Sequence, residues 1–457
     1  MVEKMIQGAF RAYLEEAIGR ENALVAFSAF EQPASVAVRI NPFKNGHAFD
    51  GEQVQWSKWG RILEERPLFT LDPHFHGGAY YVQDSSSMFV GEVFRQCLES
   101  VESPVGRPVR VLDLCAAPGG KTTDLTASLR EKFGDNFVLV ANEVMKQRAG
   151  VLASNVALWG DPNVVVTSDD PSAFAALEGF FDIVVADVPC SGEGMFRKDE
   201  SAQNQWSENN VNLCEGRQRR IIADMWPSLA EGGVLVYSTC TFNRLENDGN
   251  VCWIMEGLDA EALFEGGNSH YAGVIKTGLG FSLVPGFVKG EGQYCSAVRK
   301  RGCESSPRKM RPVRAKAAAL PESLRQLFSV DMILKQRGET VIAVPANINE
   351  DVELLGAHLH VLASGCAVGV MKGKDLVPDA DLALSIVLKD GAYPFADIDR
   401  QTALAFLHRD AIVLPDAPKG FVLIRYEGVS LGFVKNLGNR CNNLHPQGRR
   451  IRMEIKE

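Results

Sequence analysis

The sequence predicts an α/β protein whose central part is a doubly wound, mainly parallel, Rossmann-like sheet. Between Val109 and Val298, apolar runs of strand length alternate with segments of helical periodicity. Such alternation is typical of a parallel sheet that helices cover on both faces. Small and polar residues follow several of these apolar runs, at the carboxyl ends of the strands, where open α/β sheets bind their ligands.

Five apolar segments are predicted to form the main strands. They are rich in Val, Leu and Ile, which suits strands that are buried on both faces. Helices are predicted between them, including 146–159 and 215–229, and two later segments at 281–285 and 293–298 are predicted to extend the sheet. The five strands are predicted at 109–115, 137–142, 163–167, 181–187 and 233–238.

Changes in composition divide the 457 residues into five predicted regions. An N-terminal α/β cap at 1–104 precedes the doubly wound domain at 105–300. A basic, proline-containing linker is predicted next, then a small α/β domain, and finally a module of short strands separated by glycine turns. These last three regions are predicted at 301–322, 323–389 and 390–457.

Composition points to a cytoplasmic protein. The hydrophobic content of 46% and the charged content of 23% are ordinary for globular proteins. The N-terminus lacks the pattern of a signal peptide, and no apolar run approaches the ~18 residues that span a bilayer. The ten cysteines include no CxxC pair, which indicates reduced thiols rather than a disulfide framework. No membrane partner is therefore expected.

The charge is unevenly distributed along the chain. The formal net charge is −9, which does not by itself indicate a nucleic-acid-binding protein. Between Arg299 and Lys316, however, eight basic residues stand against the single acid Glu304, a local charge of +7. Contact with phosphates and a solvated linker are both compatible with such a stretch.

A turn of small residues follows the first predicted strand. Its two glycines let the backbone approach a ligand, and the helix that follows presents free N–H groups to an anionic group. The turn lacks the glycine spacing of a phosphate loop and of a dinucleotide-binding site. A nucleoside cofactor with an amino-acid tail suits it better. The turn comprises Cys115, Ala116, Ala117, Pro118, Gly119, Gly120 and Lys121.

Acidic residues follow the next strands. Glu143 comes after the second strand, at the position that holds ribose hydroxyls in related sheets. Asp169 and Asp170 come after the third, where a carboxylate can accept from an adenine amino group, and Asp187 ends the fourth. Each alone reads as a surface acid, but their occurrence at successive strand ends favours a binding site.

Two cysteines also follow strands, Cys190 after the fourth and Cys240 after the fifth. A single cysteine at such a place is most often a small core residue. Two are too few for a zinc site, and no metal is predicted elsewhere, because His74 and His76 have no other ligands at suitable spacing. The remaining alternative is a nucleophilic thiol assisted by a second thiol.

Three segments together resemble the Sun/Nop family of RNA cytosine-5 methyltransferases, and within it the bacterial RsmF-like branch. They are LDLCAAPGGKT, DVPCSGEGMFRK and YSTCT, in this order and spacing. The resemblance extends to GAYYVQDSSSM before the sheet and, near the C-terminus, to YEGVSLGFVKNLGNRCNNLHP, which is similar to a PUA-like RNA-binding module. It implies an S-adenosyl-L-methionine (AdoMet) methyltransferase sheet with an N-terminal RNA-binding cap.

The resemblance implies methylation of carbon 5 of a cytosine in ribosomal RNA, above all the 16S rRNA of the small ribosomal subunit. The enzyme would be a monomer that acts on RNA and not on DNA. Two alternatives stay open. The same chemistry can act on tRNA, or the chain can be a non-catalytic, AdoMet-binding ribosome assembly factor.

Roles for individual residues follow from the resemblance. The turn at 115–121 surrounds the methionine part of the cofactor, together with Asp187. Glu143 holds the ribose and Asp170, in preference to Asp169, the adenine. Cys240 attacks the cytosine, Cys190 assists product release and Asp187 contacts the base. Substrate contacts are expected from Lys121, Arg197 and Lys198.

Overall fold

The computed structural model describes residues 8–44, 49–101, 104–264, 269–302, 320–373 and 375–455. Most of the predicted basic linker, residues 303–319, lies outside the described residues. The described residues form four sheets, and the largest has ten strands. No helix in the described ranges is long and apolar enough to cross a membrane.

The N-terminal region combines helices with a small antiparallel sheet of strand order β2-β3-β1-β4. Its first two helices bury apolar side chains, including Phe10 and Leu14, against Phe196 and Phe242 of the central domain. The strands are β1 (Val36–Ile40), β2 (Glu52–Gln53), β3 (Gly60–Leu63) and β4 (Tyr80–Val82). The helices are α1 (Ala9–Ile18), α2 (Arg20–Phe30), α3 (Pro73–His76) and α4 (Phe89–Leu98).

Five parallel strands form the centre of the largest sheet, in the spatial order β7-β6-β5-β8-β9. The order reverses between β5 and β8, and at such a switch point the carboxyl ends of the strands leave a crevice for a ligand. The strands are β5 (Val109–Asp113), β6 (Phe137–Asn142), β7 (Val164–Thr167), β8 (Phe181–Asp187) and β9 (Leu229–Thr239). The helices are α5 (Gly120–Phe133), α6 (Lys146–Trp159), α7 (Glu200–Gln205) and α8 (Glu208–Met225).

Both faces of these strands are buried, which accounts for their continuous apolar sequences. Along β8, Ile183 and Val185 pack in the core on one face, and Val184 and Ala186 pack in the core on the other. The predicted fold class is confirmed. The helix predicted at 215–229 instead spans Glu208–Met225, because the Ser207 hydroxyl accepts from the Asn210 amide to cap its start and Pro227 follows its end.

Antiparallel strands extend the central sheet on both sides. The strands predicted at 281–285 and 293–298 are present as β12 and β13, and β13 pairs with β9. These additions make the sheet mixed outside its parallel centre. The elements are α9 (Asp248–Gly257), β10 (Ala260–Ala262), β11 (Ile275–Lys276), β12 (Phe281–Leu283) and β13 (Gln293–Lys300).

The C-terminal third contains two four-stranded sheets and one strand, β16, that joins the central sheet by pairing antiparallel with β7. The first group comprises β14 (Met332–Arg337), β15 (Thr340–Pro345), α10 (Asn349–His358), β16 (Val361–Ser364), β17 (Cys366–Lys372), β18 (Asp375–Pro378) and α11 (Ala380–Leu384). The second comprises β19 (Phe395–Asp397), α12 (Arg400–His408), β20 (Gly420–Tyr426), β21 (Val429–Asn436) and β22 (Cys441–Asn443). The five domain boundaries given above stay predictions.

Candidate active site

The turn after β5 lies at the switch point of the sheet. Gly119 has φ +113°, a backbone conformation that side chains other than glycine rarely adopt. Helix α5 begins at Gly120, within the turn, so its free N–H groups face the crevice. A Cβ atom on Gly120 would lie 3.2 Å from the Tyr81 ring. The segment before β5 therefore covers this turn closely.

Asp113, at the end of β5, is a buried acid beneath the turn. Its Oδ2 atom accepts a hydrogen bond from the Thr122 hydroxyl at 2.7 Å, whereas its Oδ1 atom has no hydrogen-bond partner among the described residues. Burial raises the pKa of Asp113 to about 7. The sequence analysis did not single out this residue, although an acid inside an apolar strand is a visible signal.

The acids predicted to hold a nucleoside have different environments. Glu143 is buried, accepts from the Met145 amide at 2.9 Å and pairs with Arg148 at 3.2 Å. The Asp169 carboxylate accepts from the His360 amide at 2.9 Å. Asp170 is exposed, and its carboxylate accepts only from Ser172 among the contacts described. Asp170 is thus the more accessible of the two, in line with the preference given above, which stays a prediction.

Asp187, at the end of β8, faces the turn across the crevice. Lys121 Nζ lies 2.8 Å from its Oδ2 atom, and the Ser238 hydroxyl donates to its Oδ1 atom at 2.7 Å. Burial lowers the pKa of Lys121, but the charge of Asp187 and their hydrogen bond raise it overall. Lys121 is therefore charged at neutral pH.

The two predicted cysteines lie side by side at the ends of β8 and β9. The distance between Cys190 Sγ and Cys240 Sγ is 3.2 Å. The hydrogen bond with Cys240, together with burial, raises the pKa of the Cys190 thiol well above its usual value. The Cys190 thiol is consequently protonated at neutral pH. The structure brings these sulfurs together with Asp187, since residues 186–187 and 237–238 pair in register.

Of the two basic residues after Cys190, one is buried. Arg197 pairs with Glu291 at 2.8 Å and donates to the Gly290 carbonyl at 2.8 Å, with its side chain only 6% exposed. Lys198 is 32% exposed and pairs with Asp84 at 3.0 Å. Burial and pairing leave Arg197 little capacity for a phosphate, so only Lys198 is kept as a proposed phosphate contact.

Comparison with known proteins identifies the family of this chain. The model of the 16S rRNA methyltransferase RsmB/F family matches residues 104–299, that of the RsmF N-terminal domain matches 7–85, and that of the methyltransferase RsmF PUA domain matches 394–451. A ribosomal RNA small subunit methyltransferase F from Shewanella loihica is 30% identical over 91% of this chain and 89% of the relative. The chain belongs to the family of ribosomal RNA small subunit methyltransferase F. The resemblance inferred from the three segments is thereby confirmed.

Another member of this family and two solved structures of similar fold are also similar to this chain. The methyltransferase F of Shewanella piezotolerans is 30% identical over 91% of each chain. A methyltransferase homologue from Pyrococcus horikoshii superposes with a TM-score of 0.54 at 24% identity, covering 65% of this chain and 97% of that one. NSun6 from the same organism, solved with SFG, gives a TM-score of 0.52 at 18% identity over 65% and 99%. At these identities, the likeness supports the fold alone.

The cofactor that a methyltransferase of this family implies is S-adenosylmethionine, and the residues at the switch point fit it. The unpartnered Asp113 oxygen is an acceptor for an ammonium group, the start of α5 suits a carboxylate, and buried Glu143 suits a pair of ribose hydroxyls. When bound, the cofactor supplies an electrophilic methyl group on a cationic sulfur. Residues 115–121, Glu143, Asp170 and Asp187 are therefore kept as the proposed contacts.

The sequence analysis missed the buried residues that support the cysteine turns of this methyltransferase. Glu193 accepts from the amides of Phe242 and Asn243 at 2.7 and 3.1 Å. Gly194 lies so close to Gly292 that an added Cβ would stand 2.6 Å from its Cα atom. The SGEG sequence after Cys190 is the signal for this arrangement, because an acid between two glycines suggests that the backbone packs closely there.

Replacing Asp113 with asparagine is expected to flatten the dependence of stability on pH. The folded chain keeps a proton on Asp113 up to about pH 7, because burial raises this pKa from 3.8. The contribution of this proton to the free energy of unfolding is complete below the pKa that Asp113 has in the unfolded chain. It is lost as pH rises through the pKa that Asp113 has in the folded chain. The difference between the two pKa values corresponds to about 4 kcal/mol in the free energy of unfolding. Urea unfolding of the unliganded protein between pH 4 and 8 measures it.

The exposed Asp390→Asn variant serves as the control for this measurement. Part of the dependence of the free energy of unfolding on pH should persist in Asp113→Asn, since burial also raises the pKa of Glu246 to about 7. Equal slopes in the wild type and in Asp113→Asn would contradict the assignment of a raised pKa to Asp113.

Proposed function

We propose that this protein methylates carbon 5 of a cytosine in ribosomal RNA, using S-adenosylmethionine and a covalent bond between Cys240 and the base. The observation that carries the proposal is the pair of sulfurs, 3.2 Å apart, beside the contact between Lys121 Nζ and Asp187 Oδ2. A methyltransferase that acts on an exocyclic nitrogen has no need for two neighbouring thiols. Methylation at carbon 5 needs a nucleophile, because that carbon is unreactive in free cytosine.

In the proposed reaction, Cys240 Sγ forms a bond to carbon 6 of the cytosine. The ring becomes an enamine, and its carbon 5 takes the methyl group. Negative charge that develops on the ring is balanced near ring nitrogen 3 by a proton from the Lys121–Asp187 pair, in which Lys121 is charged. The cytosine must leave its stack to enter the crevice.

The second half of the reaction restores the enzyme. Water accepts the proton from carbon 5, the bond between Cys240 Sγ and carbon 6 breaks so that Cys240 leaves as a thiolate, and the proton on ring nitrogen 3 returns to the Lys121–Asp187 pair. Cys190, which holds a proton next to Cys240, is placed to assist this departure by hydrogen bonding to the leaving sulfur. This division assigns attack to Cys240 and release to Cys190.

The proposed substrate is the 16S rRNA, free or within the small ribosomal subunit, bound by a monomer in the cytoplasm. The matches to the N-terminal and PUA domains of RsmF support an RNA substrate. The N-terminal helices pack on Phe196 and Phe242, which follow Cys190 and Cys240. An RNA bound by the N-terminal cap would therefore lie next to the crevice.

Transfer of a labelled methyl group tests the function. Purified protein with tritiated S-adenosylmethionine should label cytosine in rRNA or in small subunits from a strain that lacks the gene. Nuclease digestion and chromatography identify the labelled nucleoside as 5-methylcytidine. Label in tRNA alone would move the substrate to tRNA. Absence of label in rRNA, subunits and tRNA would overturn the proposal and favour a non-catalytic assembly factor.

A further inference from the structure

Two consecutive buried residues, Glu246 and Asn247, contact the chain on either side of the two cysteines. They stand between β9 and α9, and their exposed fractions are 0% and 3%. Neither has a role in the reaction described above. Their side chains nevertheless hydrogen bond directly to three residues that flank the reactive sulfurs, Ser191, Thr239 and Thr241.

The Glu246 carboxylate anchors the Cys190 turn. Its Oε2 atom accepts from the amide of Ser191, the residue after Cys190, at 3.0 Å, and from Gln218 Nε2 at 2.7 Å. The same Gln218 nitrogen donates to the carbonyl of Pro189, the residue before Cys190, at 3.0 Å. The backbone on both sides of the Cys190 side chain is therefore fixed by one carboxylate and its partner amide.

The Asn247 side chain anchors Cys240 in the same manner. Its Oδ1 atom accepts from the hydroxyl of Thr239 at 2.6 Å, and its Nδ2 atom donates to the carbonyl of Thr241 at 3.0 Å. These are the residues immediately before and after Cys240. One amide side chain thus uses both its acceptor and its donor to hold the strand end that carries the second sulfur.

Further hydrogen bonds join the two anchors into one rigid unit. Asn243 Nδ2 donates to Glu246 Oε1 at 2.8 Å and to the Thr241 hydroxyl at 3.0 Å. The Tyr237 hydroxyl donates to the Glu246 carbonyl at 2.6 Å, and the Ser191 and Thr241 hydroxyls lie 3.0 Å apart. In a buried network of this kind, each bond restricts the others, so reactive groups are held within fractions of an ångström.

We propose that Glu246 and Asn247 are positioning residues that fix the two sulfurs relative to each other, Glu246 through Cys190 and Asn247 through Cys240. This inference rests on the proposed function and deepens it, because Glu246 and Asn247 then serve different halves of the reaction. Loss of the Glu246 anchor impairs release of the product from Cys240. Loss of the Asn247 anchor impairs formation of the bond to the base.

Two isosteric substitutions separate these effects. Glu246→Gln replaces one accepting oxygen with an NH2 group that faces donors, so it removes either the bond from Asn243 or the bonds from Ser191 and Gln218 and weakens the anchor in both cases. Turnover should fall about tenfold, and protein covalently bound to RNA should accumulate several-fold over wild type. Asn247→Asp removes the donor to Thr241. Turnover should again fall about tenfold, but covalent complex should form more slowly and should not accumulate.

The experiment uses the full chain, unlabelled S-adenosylmethionine and rRNA from a strain that lacks the gene. Denaturing gels record the covalent complex over time, and transfer of a labelled methyl group records turnover. The exposed Glu256→Gln and Asn209→Asp variants are the matched controls. Affinity for S-adenosylmethionine should be unchanged in all four variants, since neither anchor contacts the turn at 115–121 in the described structure.

Accumulation of the covalent complex in Glu246→Gln and its slower formation in Asn247→Asp would support the inference. A general loss of stability would instead slow both the formation and the release of the complex in both variants. Accumulation of the covalent complex in both variants, or in neither, would overturn it. Should Glu246→Gln fail to fold, Gln218→Met removes the Pro189 anchor instead and should also accumulate complex. Failure of the cysteine variants described below would overturn the proposed function itself, whereas failure of the anchor variants alone would overturn only this inference.

Discussion

Replacing Cys240 with serine is expected to abolish methyl transfer, with a loss of at least about a thousandfold. A serine hydroxyl is a far weaker nucleophile than a thiolate and cannot form the bond to carbon 6 at neutral pH. The substitution is nearly isosteric, so the anchors of Thr239 and Thr241 on Asn247 should persist. The rate of label transfer to rRNA measures the effect.

Affinity for the cofactor distinguishes this chemical loss from misfolding. Calorimetric titration with S-adenosylmethionine should give nearly the same dissociation constant for Cys240→Ser and wild type. Cys252→Ser, at an exposed cysteine on α9, is the matched control and should retain full activity. Substantial methyl transfer by Cys240→Ser would exclude Cys240 as the nucleophile.

Replacing Cys190 with alanine is expected to stop the reaction after one covalent event. Cys240 would still attack the base, but departure of its sulfur would lose the neighbouring thiol that now lies 3.2 Å away. Most of the protein should therefore remain bound to RNA in a complex that survives denaturing electrophoresis, where the wild type shows little. Steady-state turnover should fall by about a hundredfold or more.

A double variant identifies the sulfur that forms this complex. Cys190→Ala combined with Cys240→Ser should show no complex, because the attacking thiol is absent. Cys214→Ala, at a buried cysteine outside the pair, controls for the loss of a thiol. A complex in the double variant, or its absence in Cys190→Ala, would contradict the release role of Cys190.

The strands and the location of the site follow from local sequence features. Apolar runs such as 181–187 define the buried strands, and residues after parallel strands must meet at one edge of the sheet. That geometry is why Asp187, Cys190 and Cys240 could be placed together from the sequence. The arrangement within the site depends on contacts between distant residues, and no periodic pattern encodes it.

Arg197 and Glu246 illustrate what the sequence does not reveal. Arg197 reads as a phosphate contact beside a reactive turn, yet it pairs with Glu291, which is 94 residues away. Glu246 reads as a surface acid in a polar segment, yet its carboxylate is buried with donors from Ser191 and Gln218. Burial of a charged side chain is decided by its tertiary partners, so neither residue could be assigned from its neighbours in the chain.

The pairing of β16 with β7 has a consequence for how this protein can be divided. Residues 361–364 complete the sheet on which the reactive centre is built, although they follow the catalytic region by some sixty residues. A fragment that ended near Lys300 would leave β7 as an unprotected outer strand, and such strands recruit other chains and aggregate. We therefore expect the methyltransferase region to aggregate when it is expressed alone. Loss of C-terminal residues during evolution would cost solubility.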